Sequence, residues 1–169
     1  RDEETALIGL RAALTGHLVL STLHTNSAAA TPMRLRDMGV APYMVALGVR
    51  LVLAQRLVRT ICIGCKTDAP LAPHEREWLG DDLTGNYQAW RGAGCNACHQ
   101  TGYSGRTAVY EMLEMTPALV QLANADDPAG FALEAGRAFS ALTLRRAVLD
   151  LVAEGRTTLA EALRAGSGH

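Results

Sequence analysis

Thr15-Gly16-His17-Leu18-Val19-Leu20-Ser21-Thr22-Leu23-His24-Thr25-Asn26 is the stretch on which the fold turns. His17 to Leu23 is a short, largely apolar and partly β-branched run between turn formers, the pattern of a strand buried on both faces of a parallel sheet. Just upstream, Asp2 offers an N-cap, Glu3 and Glu4 fall in a first turn, and Leu7, Leu10 and Leu14 recur at helical spacing. A helix over Glu3 to Leu14 is therefore expected, ended by Thr15-Gly16. Helix, turn and buried strand in succession are the grammar of an α/β fold. One histidine precedes the strand and another lies just past its carboxyl end. In open α/β sheets ligands bind outside those ends, which places His24, Thr25 and Asn26 where polar groups meet a phosphate or an activated water. A strand-end histidine also serves simply as a hydrogen-bond partner, and the residues alone leave both roles open.

Downstream, Asn26 and Ser27 offer a cap for a helix ending near Met38, with Gly39 as its left-handed stop. Pro42 starts another, and the apolar stretch through Leu57, Val58 and Ile61 reads as helix then strand. From Cys62 to about Gly105 the texture changes to Gly, Pro, Asn, Asp, aromatic residues and four cysteines, the sign of a small inserted subdomain. Thr107 to Leu113 reads as a strand. Thr116-Pro117, Asp127-Pro128 and Thr158 followed by Glu161 are helix starts, while Gly155 and Gly166 are stops.

The chain has 169 residues, of which 49% are hydrophobic and 20% charged, the composition of one folded domain of ordinary size rather than a disordered segment. Sixteen basic and seventeen acidic residues give a net charge of -1, so the positive field of a nucleic-acid binder is missing. Lys66 is the only lysine; every other basic residue is arginine. No run of 18 apolar residues occurs and no secretion address precedes the first helix. The tail pattern of Leu142, Leu144, Val148, Leu149, Leu151 and Val152 reads as an amphipathic or buried helix. It lacks the basic face and aromatic anchors of a helix lying on a membrane.

Cys62-Ile63-Gly64-Cys65 and Cys95-Asn96-Ala97-Cys98 are two CxxC pairs separated by residues 66–94. Each pair can form a tight knuckle that aims two thiolates at one ion, and two knuckles complete a closed four-thiolate site of the structural zinc type, with no open position for water. Gly64, Gly92 and Gly94 are expected to supply the turns. Two disulfides or four unligated buried thiols remain open readings, a redox CxxC explains only one pair, and His99 is a substitute ligand for Cys98. Trp78, Tyr87, Trp90 and Tyr103 fall in the same segment, as packing for a small module or as a partner surface. Arg145-Arg146 reads as a solvated face.

In order along the chain, Arg1–Ala6, the run 15–26, Leu35–Val40, Ala54–Arg59, both cysteine pairs, Thr101–Arg106, Tyr110-Glu111 and Gly155–Leu159 resemble the carboxyl-terminal part of the secretion ATPases. That family powers type II secretion and type IV pilus assembly, and the likeness is greatest to its general secretion pathway E type. The resemblance implies an α/β fold: the C-terminal portion of a RecA-like P-loop ATPase domain (1–61), a four-cysteine zinc insert (62–106) and a mainly helical C-terminal subdomain (107–169). It further implies a cytoplasmic homo-hexamer, held peripherally at the inner membrane by the cytoplasmic domains of secretion or pilus platform proteins. Nucleic acid and direct membrane insertion are not expected.

The same resemblance assigns roles. The 15–26 run matches the family's histidine box, so His17 and His24 become candidates for sensing the γ-phosphate. Arg56 and Arg59 fall in the matching Ala-Gln-Arg-Leu-Val-Arg segment; Arg56 is a possible phosphate contact, or an ion pair that holds its strand. Cys62, Cys65, Cys95 and Cys98 would hold structural Zn2+, with ATP and Mg2+ used by the full-length protein. Two departures matter. Ile63 stands where relatives usually have proline, and no Gly-x-x-x-x-Gly-Lys-Ser/Thr loop occurs in these residues. Arg1 and Asp2 match the end of the family's Gly-Glu-Ile-Arg-Asp motif, so the chain is expected to be a piece of a longer protein, inactive toward ATP by itself. The rival from another class is a self-standing zinc-ribbon-like interaction module, which leaves the run 15–26 and the segment 54–59 unexplained.

Overall fold

A computed structural model describes residues 2–25, 27–80, 88–138 and 143–166. They form two compact units, Arg1–Ala54 with Glu111–Leu142 and Gln55–Tyr110 with Thr143–His169. This division cuts across the three segments read from the sequence, because the helices after residue 116 are shared between the units.

In the first unit, α1 (Glu3–Leu14) starts where the Asp2 carboxylate accepts the Thr5 N–H at 2.8 Å and ends at Thr15, with Gly16 at φ 95°. Helices α2 (Thr31–Asp37) and α3 (Pro42–Gly48) follow, Gly39 turning the chain between them at φ 91°. The first of these begins later than expected: the Ser27 hydroxyl accepts the Ala30 N–H across a turn ahead of the helix. The other anticipated cap, Asn26, lies outside the described residues. Leu10, Leu35, Val40, Met44 and Val45 form the core, with Leu7, Leu23 and Val49 packed against it. Two further helices, α5 (Pro117–Asn124) and α6 (Pro128–Ala138), are capped by the Thr116 hydroxyl and the Asp127 carboxylate, and α5 packs on α3.

The decisive stretch departs from expectation. Residues 17–25 run without helix or strand, and Leu18 and Leu20 are 89% and 88% exposed. A strand exists through hydrogen bonds to a neighbour. The described strands pair only β1 (Leu51–Ile61) with β4 (Tyr103–Glu114) and β2 (Lys66–Ala69) with β3 (Ala89–Gly92), so none is left for this segment. Val19 lies near Gly9 of α1, and Leu23 packs against the core of the first unit.

In the second unit, β2 and β3 form a short antiparallel ribbon, Lys66 opposite Gly92 and Ala69 opposite Ala89. Helix α4 (Pro73–Leu79) opens with the Glu75 carboxylate accepting the Ala72 N–H. α7 (Leu144–Ala153), capped by Thr143, and α8 (Leu159–Gly166), capped by Thr158, pack on each other and bury Val148, Val152, Leu159 and Ala162. Leu142 lies outside the described residues. Both strands of the β1–β4 pair pass from one unit to the other.

Arg145 corrects the reading of a solvated Arg145-Arg146 face. Its guanidinium lies 4.0 Å over the Trp78 ring and donates to the Trp78 carbonyl at 2.7 Å, whereas Arg146 is exposed and pairs with Asp150. Trp90 and Tyr103 each hold a cation in the same way, Lys66 and Arg59. The described aromatic residues of this segment are therefore used internally; Tyr87 lies outside the described residues. No helix is long and apolar enough to cross a membrane among the described residues.

Candidate metal centre

Each CxxC knuckle is a turn between two strands: Cys62–Cys65 joins β1 to β2, and Cys95–Cys98 leads from β3 toward β4. Since β1 pairs with β4 and β2 with β3, the two turns are brought side by side by pairing on both flanks. Cross-bonds fix the register, Cys62 N–H to the Gly102 carbonyl at 3.0 Å and Ala93 N–H to the Cys65 carbonyl at 2.9 Å.

The four sulfur atoms lie within 4.8 Å of one another, with Cys62–Cys95 and Cys65–Cys98 at 3.8 Å and Cys95–Cys98 at 3.7 Å. Four thiolates about 2.3 Å from a central ion in a regular tetrahedron stand about 3.8 Å apart. The spacing fits a four-thiolate metal site, and the four cysteines are not joined by disulfides. His99 stands outside the group, exposed and left-handed at φ 51°, so Cys98 completes the site.

Backbone amides tune the sulfurs. Gly94 N–H points at Cys65 Sγ, and those of Cys95 and Gly102 point at Cys98 Sγ, each at 3.3 Å. Burial pushes the Cys65 thiol up to about 11. Burial acts the same way on Cys98, but the two amides and the neighbouring thiols outweigh it and bring it to about 6. Negative charge therefore gathers first on Cys98, and a bound cation favours the thiolate at all four positions.

Of the three glycines expected to make turns, only Gly94 has positive φ, 95°. Gly64 has an ordinary backbone, and a Cβ there would sit 3.9 Å from two sulfurs. Gly92 serves a different purpose: a Cβ on it would strike the backbone of Gly102, and one on Gly102 would strike Gly92. Two chains touch here through bare backbone. Gly102, at φ 76°, lies in the 101–106 motif but was not read as a contact residue; it and Gly92 flank the second knuckle in the sequence. Gly102→Ala is expected to cost about 2 kcal/mol or more and to halve metal retention against a competing chelator, whereas Gly64→Ala leaves retention unchanged; metal content after dialysis decides.

The candidate nucleotide residues are placed apart from this centre. His17 is exposed, its Nδ1 3.1 Å from the Thr15 hydroxyl and 3.3 Å from the Ala12 carbonyl. His24 is exposed, and no hydrogen bond joins it to His17 among the described residues. The adjacent Thr25 hydroxyl bonds Thr31 at 3.0 Å, and buried Glu111 accepts the Ala28 N–H, fixing the chain just past the histidine run. Arg56 is half-buried on β1 and donates to the Gln55 carbonyl. Arg50 is exposed. Arg59 is committed elsewhere: its guanidinium bonds Glu161 Oε1 at 3.0 and 2.7 Å while its backbone N–H donates to Oε2 at 2.8 Å.

The family profile described as "Type II/IV secretion system protein" matches residues 1–164. The chain belongs to that family. It is 42% identical over 164 residues to the type II secretion system protein E of Aeromonas hydrophila, covering 97% of this chain and 32% of that one. It is 43% identical over 176 residues to the type IV pilus assembly ATPase PilB of Acinetobacter baylyi, covering 99% and 29%. The chain thus spans about a third of the length of these curated relatives. Its fold is similar to the pilus retraction motor PilT solved with ADP (TM-score 0.63, 23% identity, 98% of this chain and 37% of that one). It is equally similar to the Yersinia pseudotuberculosis ATPase DotB (TM-score 0.64, 21% identity, 100% and 35%). The chain therefore shares the α/β fold of the corresponding parts of these two proteins, and it carries a four-cysteine cluster. A family match that includes residues 15–26 and 54–59 sets aside the self-standing module.

Proposed function

We propose that this chain is the metal-stapled carboxyl-terminal portion of a hexameric ATPase that drives type II protein secretion or type IV pilus assembly from the cytoplasmic side of the inner membrane. The match over residues 1–164 carries the reading, because it embraces the histidine run, the arginine segment and both cysteine pairs together. Zn2+ is the ion that four thiolates in closed tetrahedral array suit best, and its role is to hold the 62–106 segment in shape. ATP with Mg2+ supplies the phosphoryl chemistry in the complete protein. His17 and His24 lie on the segment assigned to nucleotide sensing, and their exposure leaves both rings available for it.

Arg56 stays the candidate phosphate contact. Arg59 fits a structural role, since its guanidinium is taken up by Glu161 and the Tyr103 ring. The inner-membrane platform proteins of the same systems are the partners this reading requires.

No phosphate-holding loop occurs in residues 1–169, so the chain alone is expected to show no ATP turnover above buffer. The protein from the complete reading frame should hydrolyse ATP, and His24→Ala in it should lower kcat about tenfold or more. Steady-state phosphate release checks both. Turnover by the 169-residue chain, or an unchanged kcat in the His24 variant, contradicts the reading.

A further inference from the structure

Gly155-Arg156-Thr157-Thr158 is the turn between α7 and α8, far in sequence from every cysteine. Its shape is set locally. Gly155 stands at φ 65° just past α7, its N–H donates to the Val152 carbonyl and the Arg156 N–H donates to the Leu151 carbonyl, both at 2.9 Å. A helix end closed in this way leaves the turn little freedom.

The polar groups of this turn end on the strands that carry the cysteines. Alternate residues of a strand direct their N–H and C=O to opposite edges. At the end of β1, Cys62 faces Gly102, its N–H bonded to that carbonyl at 3.0 Å, whereas Arg59 and Ile61 face the other edge. Among the described residues no strand pairs with that edge. The turn fills it: the Ile61 N–H donates to the Arg156 carbonyl at 2.8 Å, and the fully buried Thr157 hydroxyl donates to the Arg59 carbonyl at 2.7 Å. Gly155 lies against the start of the ribbon, where a Cβ would meet Trp90 and Lys66, the residue after Cys65. Thr158 Oγ1 is 2.9 Å from the hydroxyl of Tyr103, the residue after Gly102, whose N–H points at Cys98.

Cys62 depends most on this support. Backbone amides are directed at the sulfurs of Cys65 and Cys98, and among the described residues none is directed at that of Cys62. A sulfur without such a donor is aimed by its backbone, and that backbone is gripped between Gly102 on one edge and Arg156 on the other. We propose that the 155–158 turn is part of the metal centre: it sets the direction in which Cys62 presents its sulfur, with Thr157 as the positioning residue. Metal affinity and the seating of the turn on β1 are thereby coupled, and linkage makes the coupling reciprocal. An ion held by Cys62 holds the turn in place, and a turn lifted from β1 loosens the ion. The inference rests on the reading of the four cysteines as a zinc site.

The test measures zinc affinity of the 169-residue chain by competition with a chromogenic chelator under reducing conditions. Thr157→Val keeps the shape of the side chain and removes its hydroxyl, and it should weaken zinc binding about fivefold or more. Thr157→Ser restores the hydroxyl and should stay within about twofold of wild type. Val148→Ala opens a cavity in the packing of α7; it should lower the urea midpoint at least as much as Thr157→Val and leave zinc affinity unchanged, which separates positioning from general stability. In the wild-type chain, removing zinc should speed hydrogen exchange at the Arg59 and Ile61 amides, an arm that decides even if Thr157→Val folds poorly. Wild-type zinc affinity in Thr157→Val overturns the proposal. So do an equal loss in Val148→Ala, a Thr157→Ser that fails to restore binding, or Arg59 and Ile61 amides whose exchange ignores zinc. Each of those results leaves the zinc reading standing, whereas a wild-type chain that takes up no zinc removes both.

Discussion

Cys98→Ser should strip the metal from the chain and melt the β2–β3 ribbon while α1, α2 and α3 keep their protection from hydrogen exchange. The ribbon has four residues in each strand, and a two-stranded ribbon of that size is marginal in water without help. The proposed ion supplies that help by tying the two knuckles that flank residues 66–94 to one centre, in addition to the backbone bonds between them. Structural zinc contributes about 10–16 kcal/mol to small modules that depend on it; losing one of four thiolates, here the one that gathers charge first, forfeits much of that. The first unit has its own core of Leu10, Leu35, Val40, Met44 and Val45, so its helices should not follow. Metal analysis paired with amide exchange reads both parts. Persisting protection at Lys66–Ala69 in the metal-free variant would show that packing alone holds the ribbon.

Glu161→Ala should be the next most damaging change. Glu161 is 1% exposed, yet it is charged, and three groups keep it so: the Arg59 guanidinium, the Arg59 backbone N–H and Arg164 at 2.6 Å. Removing it leaves a buried N–H and an unpaired guanidinium at the end of β1, next to the first knuckle. Breaking a fully buried pair costs about 3–5 kcal/mol; since both arginines are partly exposed, about 2–3 kcal/mol is expected. Burial alone would raise the Glu161 carboxyl, but the bonds from Arg59 and the charge of Arg164 hold it below the usual carboxylate range. The sign follows. A carboxyl with a depressed folded-state pKa stabilises fully above its ordinary value and loses that contribution as pH falls through the folded value. The gap in urea midpoint between wild type and Glu161→Gln should therefore be widest near neutrality and shrink below about pH 4. A gap independent of pH would mean that Glu161 acts through shape and not through charge.

Local grammar was legible and long-range grammar was not. Asp2, Thr116, Asp127 and Thr158 each cap a helix through an N–H three residues on, an interaction closed within one turn, so the residue type and its position suffice. The cysteine pairs were legible because CxxC spacing itself constrains two sulfurs, leaving only their convergence to be found. What escaped needs partners distant in sequence. Arg145 reads as solvated until Trp78 arrives beneath it, Arg59 meets Glu161 across 102 positions, and Gly92 meets Gly102 through backbone that carries no side-chain signal. The run 17–23 failed for the opposite reason. Its composition asks for a sheet on both sides, and the strands described here pair with one another instead.

X-ray absorption at the zinc edge of the chain purified under reducing conditions tests the metal staple most directly. The account predicts one zinc per chain ringed by four sulfurs at about 2.3 Å, with no nitrogen or oxygen in the shell. Substoichiometric zinc, or a shell in which an imidazole nitrogen replaces one sulfur, would contradict it.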